Sequence, residues 1–551
     1  MKPVIYQLFP RLYTNLNSRL TRGGDISQNG VGKMNQITTE ILTDLHSLGA
    51  THVWLTGVIE HATATDYSAF GIASDNPAVV KGKAGSPYAI KDYYDIDPDI
   101  AENIDNRIDE FKALLRRIHD CGMCAVIDFV PNHVARHYVS DAKPSGVADF
   151  GTNDRTDWFF AHDNNFYYMN EPLSVDGVDI SGYCENPARA TGNDCFSPRP
   201  HKNDWYETVK LNYGIDYSNG SRHFDPIPDT WHKMLHILRY WAEMGIDGFR
   251  CDMAFMVPVE FWRWAIPQIK EINPKLLFIA EIYDVDLYRT FIDAGFDYLY
   301  DKVNLYDMLV GIERHGWHAD AITSCWQRVD GIEPHMLNFL ENHDEVRFAS
   351  SFYAHKAENA LPSLVVSALL GTGAFMVYQG QELGEKGEDD EGFSGPNGRT
   401  TIFDYWSIKS VRDYLSRRAT KKSLALRATY SKVLNLCNSS KAISNGGFFD
   451  LTYANYDNPS FSTARHFAFL RHYDDEVLLI VVNFDDKPAD ISVNIPAHAF
   501  EHIGLAEENY SATDIIGGSK QKITLSHDAP VWLHLKAKGA KVLKLAKFGT
   551  K

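Results

Sequence analysis

Four stretches of this chain close an apolar run on a carboxylate. Gly248-Phe249-Arg250-Cys251-Asp252 sets an Arg two residues before an Asp among residues that favour burial. In an extended strand, residues i and i+2 share a face, so Arg250 and Asp252 emerge side by side. A buried charge is costly unless paired, and a neighbouring guanidinium lowers a carboxylate pKa. Asp252 is therefore expected to stay ionised in a partly dry site, the state a nucleophile requires. Taken alone, such a pair is more often a structural ion pair. Three further stretches shift that balance. Asp128-Phe129-Val130-Pro131-Asn132-His133 follows the apolar run Cys124-Ala125-Val126-Ile127, Phe278-Ile279-Ala280 leads into Glu281, and Leu337-Asn338-Phe339-Leu340 leads into Glu341-Asn342-His343-Asp344.

Acids repeated at strand ends need a frame that gathers strand ends. Strand-like runs lie at 4–8, 52–58, 124–130, 248–252, 277–282, 296–300, 336–340 and 374–378. Amphipathic helical spacing separates them, with apolar residues at 108, 111, 114, 115 and 118 and the same pattern over 231–244. Alternating strands and helices imply an α/β fold with a parallel sheet, and eight units fit a (β/α)8 TIM barrel. The alternative, an open doubly wound sheet, calls for a Gly-rich phosphate loop, and none is present. In a barrel, polar residues at the carboxyl ends of the strands form the active site, so the four acids would converge. The barrel is assigned to 1–131 and 229–430. The stretch 132–228, rich in Asp, Asn, Gly, Pro and aromatics, is too long for a loop and reads as a loop-rich inserted domain after the third strand. Short alternating runs separated by turn signals assign 440–540 to a C-terminal all-β sandwich.

The chain has 551 residues, room for roughly two to four domains, with 44% hydrophobic and 13% aromatic residues. A net charge of −18 counts against nucleic acid and anionic membrane surfaces as partners. The basic tail with Lys at 536, 538, 541, 544, 547 and 551 reads as a solvated terminal element. The apolar stretch 361–378 holds Pro362, Gly371 and Gly373, which suits a helix and a strand better than a membrane span. Residues 1–9 lack a signal-peptide pattern and read as the first barrel strand, so the expected compartment is the cytoplasm, or the periplasm or exterior had a signal been removed. Seven cysteines disfavour a disulfide framework. Cys121 and Cys124 read as a small buried apolar pair, whereas Cys184 and Cys195 could bridge in an oxidising compartment. No His/Cys cluster has zinc spacing.

In order and separation, DFVPNH, GFRCD, AE and ENHD resemble the four sequence regions of the α-amylase family, glycoside hydrolase family 13. The resemblance covers roughly residues 1 to 540. It implies a retaining glycosidase that cleaves α-1,4-glucosidic bonds in starch-like glucans or maltooligosaccharides by double displacement. It makes Asp252 the nucleophile, Glu281 the general acid/base and Asp344 the third acid, which holds sugar hydroxyls. His133 and His343 match histidines that contact the sugar at the cleaved bond, and Tyr88 matches the aromatic that stacks on it. Asp128 matches a residue that organises the site, and Arg250 is counted with the residues that bind the substrate.

The chemistry fits on its own terms, since glycoside cleavage needs two carboxyl groups in different protonation states. Glu281 has no basic neighbour in sequence, so burial is expected to keep a proton on it while Arg250 keeps Asp252 charged. Ala89 stands where many exo-acting α-glucosidases of the family carry Asp, which favours internal bonds. Lys210-Leu211-Asn212 resembles a fifth region of the neopullulanase and cyclomaltodextrinase group. A transglycosylase or trehalose synthase-like isomerase would share every catalytic residue, whereas a non-enzymatic transporter-associated relative would lack the acids. No cofactor is required. By the resemblance Asn132 is a calcium ligand, and Asp149, Asp154 and Asp157 could add oxygens. Phe255-Met256 replaces the family's Lys-His pair, which tips the expectation against calcium there. The acid-rich loop 382–391 is another candidate calcium site, though it reads first as a solvated face near the cleft.

Overall fold

The computed structural model describes residues 1–389, 391 and 396–547. Eight strands close a barrel: β1 (Val4–Leu8), β2 (His52–Leu55), β3 (Cys124–Phe129), β4 (Gly248–Cys251), β5 (Leu277–Ala280), β6 (Tyr298–Tyr300), β7 (Met336–Phe339) and β8 (Ala374–Tyr378). Every neighbouring pair is parallel, and β8 pairs with β1. Each expected run holds one strand, matched in full at 4–8 and 374–378 and trimmed in the other six. Asp252 and Glu281 fall one residue past their strands, yet their amides still donate to Phe129 O at 2.9 Å and Cys251 O at 3.1 Å. The acids thus sit on the last rung, with rigid backbone behind them.

Helices pack outside the strands. α1 (Arg107–Asp120) buries Phe111, Leu114, Leu115 and Ile118, a stripe at helical spacing. Each such side chain contributes roughly 2 kcal/mol of hydrophobic stabilisation. α2 (Asp229–Met244) buries Trp231, Met234, Leu235, Leu238 and Trp241 and stops at Gly245, whose φ of 99° suits a residue without Cβ.

Between β3 and α2, an antiparallel pair joins His133–Ala135 to Thr208–Lys210. Among the described residues 136–207 there is no helix or strand, and Tyr167, Met169, Leu173, Val175, Ala188 and Tyr206 form a separate apolar cluster.

The C-terminal part is antiparallel. One sheet has the order β9 (Gly447–Asp450), β10 (His466–Tyr473), β11 (Glu476–Asn483), β16 (Gly539–Lys547), β13 (Asn509–Asp514), β14 (Lys520–Thr524). The other pairs β12 (Ala489–Val493) with β15 (Val531–Leu535). The unbroken apolar run in β11 follows from burial on both faces. Leu478, Ile480 and Val482 join the barrel core, whereas Leu479 and Val481 face the second sheet.

Three expectations are corrected. The basic tail is not merely solvated, because β16 lies in the middle of its sheet with Val542, Leu543 and Leu545 buried. Lys541, Lys544 and Lys547 sit on this strand, with Lys544 2.7 Å from Glu476, and the strand runs past the expected boundary at 540. Lys551 lies outside the described residues. Cys121 and Cys124 are half-buried rather than buried, and Cys184 and Cys195 are both free thiols. Among the described residues no helix is long and apolar enough to cross a membrane.

Candidate active site

Arg250, fully buried on β4, lies in register with Asp128 on β3. Its Nη1 is 2.7 Å from Asp252 Oδ1 and 3.4 Å from Asp128 Oδ1, and its Nη2 is 2.7 Å from Glu281 Oε2. The guanidinium lies 5.2 Å from the Trp54 ring centre, 5.4 Å from Tyr88 and 5.5 Å from Tyr300, an aromatic cage that excludes water from it. Nε donates to Tyr300 OH at 3.3 Å, and Trp54 Nε1 donates to Asp128 Oδ2 at 3.0 Å.

One guanidinium therefore serves three buried carboxylates. This overturns the expected division between an Arg-paired Asp252 and an isolated Glu281. Glu281 is isolated only along the chain. In space it faces Arg250, its Oε1 accepts from Tyr283 OH at 2.6 Å, and its Oε2 accepts from Met253 N at 2.8 Å. Met253 has a φ of 43°, a left-handed conformation costing roughly 1–2 kcal/mol for a residue with a side chain. That turn aims its amide at Glu281. Burial and the charge of Glu281 push Asp252 above the usual carboxylate range, against the pull of Arg250. Burial likewise raises Asp128, opposed by Arg250, His343 and the Trp54 N–H.

Asp344 is half open to the cleft and lies 3.1 Å from His343 Nε2. Partial burial pushes it up, but the His343 ring, Arg250 and Arg399 together hold it below the usual range. Gln7 Nε2 lies 2.8 Å from His343 Nδ1, which fixes that ring from β1. Tyr88 stacks on His343 with centroids 5.0 Å apart. On the other side His133 packs 5.3 Å from Trp205. Burial, then the Lys210 charge, pushes His133 down to about 3, so its ring is neutral at pH 7.

The cleft these residues line has a volume of about 510 Å³. Asp252, Glu281, Asp344, Tyr88, His133 and His343 border it, whereas Asp128 and Arg250 lie beneath. Trp205, Glu207 and Thr208 of the insert form part of its wall, with Lys81 2.9 Å from Glu207. Tyr283, Lys302, Glu345 and Phe403 complete it and were not singled out from sequence. Gln7 and Tyr300 were findable, since both lie at the carboxyl ends of barrel strands. Ala89 does not border the cleft. It is packed among Ala62, Val80 and Ala135, so it has no direct part in the cleft wall.

The expected calcium ligand is also corrected. Asn132 is buried, and its Oδ1 accepts from the Lys210 ammonium. The same Nζ lies 2.6 Å from Asp194 Oδ1 and donates to Met256 O at 3.3 Å. An ammonium thus fills a pocket of hard oxygens that would otherwise suit a cation, and these residues do not fit a metal ion there. Asp149 pairs with Lys143 at 3.0 Å, Asp154 accepts the amides of Asn165 and Phe166, and Asp157 is exposed. In the loop 382–391, Glu382 and Glu391 are buried and accept from Tyr6 OH and Thr401 N, so the loop is not a simple solvated face. Asp390 lies outside the described residues.

The family model of the alpha amylase catalytic domain matches residues 7–435. A cyclomaltodextrinase from a Bacillus species is 23% identical over 502 residues, 88% of this chain and 72% of that protein. The alpha-amylase MalA of Haloarcula japonica is 24% identical over 501 residues, 90% of this chain but 57% of that protein. Among solved structures, the maltogenic alpha-amylase AmyB from Thermotoga neapolitana covers 99% of both chains with a TM-score of 0.64 and 20% identity, a likeness of fold.

Proposed function

Because this chain belongs to the α-amylase family of glycoside hydrolases, we propose that it is a retaining enzyme that hydrolyses α-1,4-glucosidic bonds in maltooligosaccharides or related starch-like glucans. The observation that carries the reading is the Arg250 guanidinium bridging Asp252 and Glu281 at 2.7 Å each. One planar fork holding both carboxylates ties them into one site, and the retaining assignment, which needs them about 5–5.5 Å apart, is carried over from the family.

In the first step an Asp252 oxygen attacks the anomeric carbon, the bond to the leaving sugar oxygen breaks, and Glu281 gives that oxygen its proton. In the second, Glu281 takes a proton from water, whose oxygen attacks the anomeric carbon and displaces Asp252. One guanidinium faces three acids, and burial raises Asp252 and Asp128, an arrangement that favours keeping a proton in the resting site. Positive charge developing on the sugar favours the ionised form of Asp252 and so draws that proton to Glu281. The Tyr283 hydroxyl can accept from a protonated Glu281 as readily as it donates to a charged one. Asp344 faces the cleft as a held carboxylate for sugar hydroxyls, and Tyr88 offers a ring face.

A cyclomaltodextrinase-like preference is the second reading, supported by Lys210-Leu211-Asn212 and by the cyclomaltodextrinase relative. Maltoheptaose, cyclodextrin, pullulan and trehalose tested in parallel decide the matter. Maltose and maltotriose are expected early from maltoheptaose. Cyclodextrin cleaved faster favours the second reading, glucose alone indicates exo action, and products longer than the substrate indicate transfer. Inertness toward all four overturns the proposal.

A further inference from the structure

Away from the cleft, four carboxylates converge from separate stretches: Glu60 on one strand and Asp92 and Asp95 on the other of a small antiparallel pair, and Asp141 near the start of the insert. One oxygen from each lies within 4.8 Å of the other three. Glu60, Asp92 and Asp95 are buried, and Asp141 is exposed, which leaves a way in from solvent. Asp75 adds a fifth carboxylate nearby, 3.3 Å from the Lys91 ammonium.

The cations present do not balance this charge. Arg107 grips Asp95 through Nε and Nη2. Lys91 stands between Glu60, at 3.5 Å, and Asp75. Asp92 accepts from Tyr94 N, Ser140 Oγ and Ala142 N, and Asp95 accepts from Ile96 N besides Arg107. A carboxylate has about four lone-pair sites, so both keep capacity for another partner.

Glu60 differs in kind. It is 1% exposed, and neither of its carboxylate oxygens has a hydrogen-bond donor. Buried polar atoms are paired in the great majority of native structures, and a buried acid with both oxygens bare calls for a cation or a proton. Burial, opposed by Lys91 and then reinforced by Asp92, Asp95 and Asp141, pushes Glu60 up to about 9, so the cluster as it stands competes for positive charge.

We propose that Glu60, Asp92, Asp95 and Asp141 hold a hard divalent cation of the calcium type. Calcium accepts several carboxylates in irregular arrangements, whereas magnesium demands near-octahedral geometry and keeps most of its waters. The site is separate from the Asn132 pocket, which Lys210 fills. Its place suggests its role. Asp92 follows Tyr88 on one segment, and Asp141 follows His133 on another, so a bound cation ties together the backbones that present both rings to the cleft.

The test uses the full chain, freed of metal with EDTA and titrated with calcium chloride, then separately with magnesium chloride. Calorimetry is expected to show one calcium ion per chain and a rise of several degrees in melting temperature, with magnesium weaker. Glu60→Gln, neutral and of the same shape, should lose at least about tenfold in calcium affinity, and so should Asp141→Asn on the surface. Should Glu60→Gln fail to fold, Asp141→Asn alone decides. No heat and no melting shift at millimolar calcium in the wild type would overturn the site and leave a proton on Glu60. Wild-type affinity in the variants would place the ion elsewhere and overturn it equally.

Discussion

Lys210→Met removes the one ammonium from the pocket formed by Asn132, Asp194 and Met256 while keeping a side chain of similar length. Two neutral acceptors, Asn132 Oδ1 and Met256 O, lose that donor, and an orphaned buried polar group costs about 1–3 kcal/mol. Breaking a buried ion pair costs about 3–5 kcal/mol. The Asp194 side chain is 33% exposed, so solvent screens part of that loss. These penalties overlap because they arise from one missing group, and about 4 kcal/mol is the expected total. At roughly 2 °C per kcal/mol for a large chain, the melting temperature should fall by about 8 °C. Asp194→Asn and the double variant complete a mutant cycle, and a coupling of about 1–2 kcal/mol is expected. Lys210 also lies in register with His133, so the Michaelis constant for maltoheptaose should rise severalfold. A Lys210→Met variant that melts within about 1 °C of the wild type would refute the view that the ammonium holds this corner of the cleft.

Asp252→Asn should lose at least about three orders of magnitude in kcat while the fold is retained, since in the proposed mechanism this carboxylate bonds to the sugar itself. Glu281→Gln should be inactive on glucans but regain glycosylation on an α-glycosyl fluoride, whose leaving group needs no proton; equal loss on both substrates would remove the acid role. Trp205→Ala should raise KM about tenfold with little change in kcat, because its ring lines the cleft beside His133. Burial, offset in part by Arg347, pushes Glu341 up to about 7, and burial, against the Thr401 amide, pushes Glu391 up to about 8. Both keep protons that the unfolded chain releases near pH 4.3, so their stabilisation is full below about pH 4 and lost as pH rises through about 7–8. At constant ionic strength the melting temperature of Glu391→Gln relative to the wild type should therefore rise between about pH 5 and pH 8.5; a relative fall across that window would contradict the sign.

The barrel was readable because its strands are mostly buried and apolar and alternate with amphipathic helical spacing. The four acids were readable because a strand end is a fixed place in such a barrel. What stayed hidden depends on contacts between distant residues. The Glu281 environment is made by Arg250, the Met253 amide and Tyr283, and the first of these comes from another strand. Glu281 looked isolated only because sequence shows neighbours along a single line. Lys210 carried a motif resemblance, but its charge acquired meaning only when folding set Asn132, Asp194 and Met256 around it. The left-handed turn at Met253 has no compositional signal, since such a turn more often carries Gly or Asn. β16 escaped notice because its lysines masked an alternating pattern whose other face is buried.

The pairing of β1 with β8 has a bearing on how the cleft comes into being. Gln7 at one edge of that seam touches His343, a contact between groups 336 residues apart along the chain. Such a contact forms only after a very large loop has been closed, and loops of this kind slow folding more than they weaken the finished structure. Helices such as α1 can gather early from local contacts, but the seam cannot. His343 is therefore left without its anchor until the ring shuts, and Asp344 beside it is left without a fixed partner. Secondary structure is thus a poor witness of readiness in this molecule. Closure of the seam is an event that helps to aim Asp344.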